Sequence, residues 1–267
     1  MRLATEVRRL REAAGLSSRE AAALLGVSPA QITHIESGLA GVSEKRLRRL
    51  ASHYASTDEE FIDALGVMAT DRTRGWWEEY RGLLPASFLD LSELEYHASF
   101  LREVAVLYVP GLLQTTDYAR AVFSARVPEL THEELELRVR HRTARQQIAI
   151  PYEVVIHEAA LRIRVSDRAA SRDQLARLLE LSGADDITLR VIPFDLDGFS
   201  RASNSMTYLG GPLPKLDTVV RDAPYGSIFI DSEAQLNAYR TRFRKVEAVS
   251  LEPERSRDFI HGLAKEL

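Results

Sequence analysis

Apolar positions recur at helical spacing through the first 66 residues. Val7, Leu10 and Ala14 share one face of a run over 4–14, and Gly15 stops it as a helix C-cap does. Ser17 caps a second run, and Glu20 three residues on completes a capping box ahead of Ala21 to Leu25 and the turn Gly26-Val27. Ser28 caps a third run, Pro29 suits its first turn, and Ile32 and Ile35 face inward before Gly38 ends it. Ser43 caps a fourth, with Leu47, Leu50 and Tyr54 on its buried side. Thr57 with Glu60 forms another capping box that opens a fifth through Phe61, Ile62 and Leu65. Five short helices, the second and third joined by a tight glycine turn, outline a helix-turn-helix domain.

The pattern then lapses. Residues 67–75 mix Thr, Asp, Arg and Gly without periodicity and predict a boundary between domains at 1–70 and 76–267, either as a linker or as an extended helix. Helical patterns resume over Trp76–Leu84, Leu91–Leu107, Thr116–Ala125 and Thr131–Ile148. Short β-branched runs bounded by Gly, Pro and Asp follow at Tyr152–Ile156, Ile187–Ile192, Ser205–Leu209, Thr218–Val220 and Ser227–Ile230. A helix over Ala169–Ser182 separates the first two of these runs, and helices over 232–249 and 253–265 close the chain. The expected class is mainly α with a smaller α/β part: a helical head, then a domain of helices and a small mixed sheet.

Composition narrows the function. At 267 residues, 45% hydrophobic and 28% charged, the chain has a globular balance, and no apolar run approaches the roughly 18 residues of a membrane span. The first residues lack the apolar stretch of a secretory signal, and with no Cys there is neither a disulfide framework nor thiolate chemistry, so a cytoplasmic location is expected. None of the seven His residues is paired at His-x-x-x-His spacing, so neither a metal nor another cofactor is expected. Residues 1–56 hold nine basic and five acidic side chains, a net of +4 within a chain of −4, which leaves −8 on the remainder. A basic head on an acidic body fits a head that alone meets a polyanion.

Two resemblances sharpen this. The stretch Leu10-Arg11-Glu12-Ala13-Ala14-Gly15-Leu16-Ser17-Ser18-Arg19-Glu20, followed by Leu25-Gly26-Val27-Ser28-Pro29-Ala30-Gln31-Ile32-Thr33-His34-Ile35-Glu36-Ser37-Gly38, resembles the lambda-repressor-like (XRE) family over about a quarter of the chain. The resemblance implies a five-helix DNA-binding domain whose third helix enters the major groove of double-stranded DNA. It would set Ser28, Pro29, Ala30, Gln31, Thr33 and His34 against DNA, and Ser18 and Arg19 near phosphates. Ser18 stands where family members often carry Gln, a longer side chain. The third helix also has no Arg, Lys or Asn, so specificity would rest on Gln31 or His34, on methyl contacts from Ala30 and Thr33, and on DNA shape. Lys45 and Arg46, with Arg49, read as phosphate neighbours or as a solvated face. The resemblance also implies a structural ion pair between Arg11 and Glu36, the alternative being two independent surface charges.

From about residue 76 to 262, Trp76-Trp77 with Tyr80, Pro110-Gly111-Leu112-Leu113-Gln114-Thr115, Arg145-Gln146, Glu158-Ala159-Ala160-Leu161-Arg162, Gln174-Leu175 and Val191-Ile192-Pro193-Phe194 occur in order. This order resembles the large C-terminal domain of actinobacterial regulators of the Scr type, some of which are antitoxin-like and act with a small companion protein. Ser166-Asp167 depart from the Gly usual after the fourth element.

No phosphate loop, Gly-x-Ser-x-Gly elbow or dinucleotide fingerprint occurs, and an enzyme is not expected. His157 and Glu158 adjoin at a strand end, where neighbouring side chains point to opposite faces; they read as a partly buried imidazole and a helix-capping carboxylate. Arg138, Arg142 and Arg145 share one helix face and read as a solvated face with Glu134 pairing Arg138, against an acidic-ligand site. Trp76 and Trp77 read as packing, and Pro110–Thr115 as a structural turn. The sequence therefore predicts a sequence-specific transcriptional regulator, dimeric, its C-terminal domain dimerising and sensing a companion protein or small-molecule effector. The alternative is an antitoxin-like interaction module that autoregulates its operon.

Overall fold

Helix starts in the first seventy residues are written by short polar side chains. Ser17, Ser28, Ser43 and Asp58 each accept a hydrogen bond from the backbone N–H three residues on, opening α2 (Ser18–Leu25), α3 (Pro29–Glu36), α4 (Glu44–His53) and α5 (Glu59–Thr70). Each such cap contributes about 1 kcal/mol. The computed structural model describes residues 2–54, 58–71, 73, 75–147, 149–196, 204–223 and 226–267. Thr57, expected to cap the fifth helix, lies outside them, and Asp58 is the cap, with Phe61 N–H at 3.1 Å.

The chain divides into two compact units, Met1–Arg74 and Gly75–Leu267. In the first, α1 (Arg2–Ala13) and α2–α5 enclose Val7, Ala21, Ile32, Ile35, Leu47, Leu50, Phe61, Ile62 and Leu65, all buried. Gly26 takes φ 67° at the end of α2, a left-handed conformation that lets the chain reverse within three residues into α3. Helix α5 continues through Thr70, so the aperiodic stretch from Val67 begins as helix.

The second unit is built on a six-stranded mixed sheet of order β3-β2-β1-β4-β5-β6. The strands are β1 (Phe100–Ala105), β2 (Tyr152–His157), β3 (Ile187–Ile192), β4 (Met206–Gly210), β5 (Thr218–Ala223) and β6 (Gly226–Ile230). β1, β2 and β3 run parallel, whereas β4, β5 and β6 are antiparallel to their neighbours. Leu101 pairs with Tyr152 and Val154 with Leu189. Because side chains alternate along a strand, this register puts Leu101, Tyr152, Val154, Ile156, Leu189 and Val191 on one face. They pack there with Tyr118 of α7 (Thr116–Ser124), Leu175 and Leu178 of α10 (Arg168–Leu181), and Ile260 and Leu263 of α12 (Pro253–Glu266). The opposite face, with Val104, Val155, Met206, Tyr208 and Val219, buries Leu236, Phe243 and Val246 of α11 (Glu233–Glu247). Phe243 is wholly buried, and truncating such a side chain to Ala costs about 3–5 kcal/mol.

The architecture is mainly α with a smaller α/β part, and two expectations are corrected within it. The single helix expected over Leu91–Leu107 is α6 (Ala86–Tyr96) followed by β1. β1 lies inside the sheet between β2 and β4, buried by partners distant in sequence, so its apolar positions satisfy either period locally. Trp76–Tyr80 form a 3-10 turn rather than an α-helix through Leu84. Helix α8 (His132–Arg145) ends before Ile148, which lies outside the described residues, and a short α9 (Glu158–Arg162) follows β2 directly.

Candidate nucleic-acid interface

Helix α3 buries Ile32 and Ile35 and turns the rest of its surface outward: Pro29, Ala30, Gln31, Thr33 and His34, with the cap Ser28, are exposed. Two of its polar side chains are partly committed within the helix. The Ser28 backbone N–H donates to Gln31 Oε1 at 3.1 Å, while Gln31 N–H donates to Ser28 Oγ. The Thr33 hydroxyl donates to the Pro29 carbonyl at 3.1 Å, leaving its methyl group outward. Gln31 therefore presents only its amide N–H donors, which suit the N7 and O6 acceptors of guanine or O4 of thymine; the two-way pairing of a free amide with adenine would break the cap. The His34 ring makes no hydrogen bond among the described residues, so it is available as donor or acceptor.

Charge around this helix is unevenly neutralised. Of the nine cations in residues 1–56, five lie beside carboxylates: Arg2 and Arg9 at Glu6, Arg8 at Glu12, Arg11 at Glu36, and Arg48 at Glu44 and Asp63. Arg19, Lys45, Arg46 and Arg49 have no carboxylate partner among the described residues. Arg49 donates to the Leu24 carbonyl at 3.1 Å; Arg19 opens α2 beside the half-buried Ser18, and Lys45 and Arg46, both exposed, open α4. Exposed cations at the first turns of two helices bring N–H groups and side-chain charge to the same place, the arrangement that holds phosphate.

The scaffold behind α3 is fixed by a buried fork. Arg11 Nε and Nη2 donate to the two carboxylate oxygens of Glu36 at 2.6 and 2.9 Å, and Nη1 donates to the Leu16 carbonyl at 2.6 Å. Both side chains are under a tenth exposed. The hydrogen bond to Glu36 holds the Arg11 guanidinium above its ordinary pKa against the opposing effect of burial. Tyr54, whose hydroxyl has no hydrogen-bond partner among the described residues, is pushed up to about 12 by burial and by the Glu36 charge. The first helix is thereby tied to the end of α3.

In the second unit the arginines of α8 do not form a solvated face. Arg145 is buried and forks onto Glu95 at 2.8 and 2.5 Å. Arg142 donates to Gln114 at 2.7 Å and lies over the Phe123 ring; burial first, and the Arg145 charge second, lower it to about 10. Arg138 lies over Phe88 with its Nε unpartnered among the described residues, and no ion pair joins it to Glu134. Periodicity showed that the three share a face but not which way it points. Facing inward, Arg142 joins Gln146 and Gln174 in fastening the Pro110–Thr115 segment: Gln146 donates to the Gly111 and Gln114 carbonyls, and Gln174 bonds Leu113 O and Thr115 N. The Arg142 side chain sits so close to Gly111 that a Cβ there would come within 2.9 Å of it.

Nearby, Tyr152 donates to Glu103 at 2.5 Å, and burial lifts that carboxyl to about 7. His141, bonded to Ser92 at 3.0 Å and packed by Trp76 and Tyr80, is held down to about 3 by burial and by Arg145 and Arg142. Trp77 is buried with Tyr80, Leu84 and Leu89. His157, rather than a carboxylate, caps α9 through Nδ1, while Glu158 accepts from Phe194 N–H at 2.7 Å and from Arg162. Glu103, Glu95 and His141 escaped the sequence reading, because nothing local marks an ionisable side chain whose burial comes from distant elements. No group of side chains among the described residues is arranged to hold a metal ion.

A tight α2-turn-α3 pair with an open α3 face, in a unit where Arg19, Lys45 and Arg46 have no carboxylate partner among the described residues, defines a helix-turn-helix protein, and residues 2–65 match a helix-turn-helix domain family. This supports a DNA-binding regulator. The chain belongs to the family that carries the domain of unknown function DUF5753, matched over residues 88–262. No curated protein matches the chain. No helix among the described residues is long and apolar enough to cross a membrane.

Proposed function

We propose that the protein is a sequence-specific transcriptional regulator that reads operator DNA through α3, with Ser28, Pro29, Ala30, Gln31, Thr33 and His34 against the bases and Ser18, Arg19, Lys45 and Arg46 on phosphates. The observation that carries this is the pairing of an outward α3 face with the cations of the head that no carboxylate neutralises. Residues 1–70 act as the reader, and residues 76–267 dimerise the protein and sense a companion protein or small-molecule effector. The ordered motifs that resemble those of Scr-type, antitoxin-like regulators support that second role, and three of them meet at the loop held by Arg142, Gln146 and Gln174. Homodimers place two α3 helices on half-sites about one helical turn apart, roughly 34–36 Å.

Sequencing genomic DNA captured by the intact protein tests the reading. Enrichment of an inverted repeat, lost on Gln31→Ala with His34→Ala, supports it; capture without sequence preference contradicts it. Co-purification from cells tests the companion protein.

A further inference from the structure

The two edges of the sheet are treated differently. The outer side of β3 is closed by the chain itself: Leu251 N–H donates to Val191 O at 2.8 Å, Val191 N–H donates to Ser256 Oγ at 2.9 Å, and α12 runs alongside. The outer side of β6 receives no hydrogen bond among the described residues. Of the usual protections of an open edge, β6 has only its short length. Gly226-Ser227-Ile228-Phe229-Ile230 has no charge, no Pro and no bulge, and Ile228 is 53% exposed.

We infer that the outer edge of β6 is the surface on which two copies of this chain join, by antiparallel pairing about a two-fold axis through Ile228. A second copy fits the strand. Centred on Ile228, all five residues pair: Gly226 faces Ile230 of the second copy, Ser227 faces Phe229, and Ile228 faces Ile228. No like charges come opposite one another, the condition that a self-pairing strand must meet. The next strand inward completes the fit. Arg221 is the cross-strand neighbour of Ile228 on β5, so the apolar pair at the axis is flanked on each side by an arginine stem, and the Phe229 ring comes beside a small Ser rather than another ring. The antiparallel run β1-β4-β5-β6 thereby continues across the axis as one sheet of two copies. This deepens the dimeric reading above and rests on it only for the choice of a second copy.

The test is the mass of the full-length protein in solution without DNA, by light scattering over a range of concentrations. The wild type is expected as a dimer. Ile228→Lys, at an exposed position, is expected as a monomer with unchanged circular dichroism, and so is Ile228→Asp. Mixing the Lys and Asp variants is expected to restore the dimer, because the two charges then meet across the axis. Since the chain has no Cys, Ile228→Cys alone is expected to cross-link on mild oxidation and Leu107→Cys not to. A dimer that survives Ile228→Lys overturns the β6 interface and leaves the dimeric reading standing. A monomeric wild type overturns both.

Discussion

The two units spend arginine in opposite ways. In the head, carboxylates neutralise the cations of α1 and Arg48 of α4; of those left over, Arg19, Lys45 and Arg46 stand exposed at helix starts and Arg49 bonds the Leu24 carbonyl. In the body, α8 drives Arg142 and Arg145 inward, where they hold a loop and a buried carboxylate; burial and then the Arg145 charge lower Arg142, while, against burial, Glu95 holds Arg145 above its ordinary value. The same residue type therefore stands exposed without a carboxylate partner among the described residues in one unit, as Arg19 and Arg46 do, and builds the interior in the other. What separates them is whether a carboxylate or carbonyl lies within reach once the chain has folded.

The contrast is sharpest at Arg145. Removing it leaves Glu95, 1% exposed, without its partner, and Arg145→Ala is expected to cost about 3–5 kcal/mol. Urea unfolding followed by the fluorescence of Trp76 and Trp77, both in the second unit, reads this. Arg145→Met with Glu95→Met should recover most of the loss, whereas an unchanged midpoint in the single variant would mean that the pair is idle. In the head, Arg11 forks onto the buried side chain of Glu36. Arg11→Ala is expected to cost about 3 kcal/mol, seen as roughly hundredfold faster amide exchange across residues 2–65 together with weaker DNA binding. Normal exchange would return both residues to the surface.

Buried charge also makes the body sensitive to pH. Glu103 is near 7 when folded against 4.5 in a free chain, so between these values the folded state holds a proton that the unfolded chain has released. Stability relative to Glu103→Gln is therefore intact below pH 4.5 and falls by about 2–3 kcal/mol as pH rises to 7 and beyond. His141 acts in the other direction: its folded value of about 3 against 6.5 costs stability as pH falls. The difference between wild type and Glu103→Gln isolates the carboxyl, and a difference that stays flat with pH would contradict its burial.

These sites also mark how far the sequence could be read. The head was legible because caps are local: Ser17, Ser28 and Ser43 announce their helices within three residues. So were most strands of the body, whose β-branched runs are bounded by turn residues. β1 was not, since its apolar positions fit a helix until the flanking strands β2 and β4 are known. Nor was the inward turn of α8, because a shared face has no direction until Glu95 and Gln114 arrive from α6 and the 110–115 loop. The exposed readers on α3 were legible in position but not in state, for the tie between Gln31 and Ser28 appears only in the folded helix.

On the head's open face the effects are smaller and fall on binding. Gln31→Ala should relax preference at one base position of each half-site by about 1–3 kcal/mol and leave stability nearly unchanged; a general loss of affinity with preference intact would make Gln31 a scaffold residue.

The most direct measurement is the salt dependence of binding to captured operator DNA, for the wild type and for a variant with Arg19, Lys45 and Arg46 all changed to Ala. Phosphate contacts release counterions, so log affinity should fall linearly with log salt between about 50 and 200 mM, by nearly one unit of slope per contact. The account predicts a steep wild-type line and a variant line shallower by about two to three units in each head, with base preference kept. Equal slopes in the two proteins, or binding indifferent to salt, would contradict the claim that these unneutralised cations carry the head onto DNA.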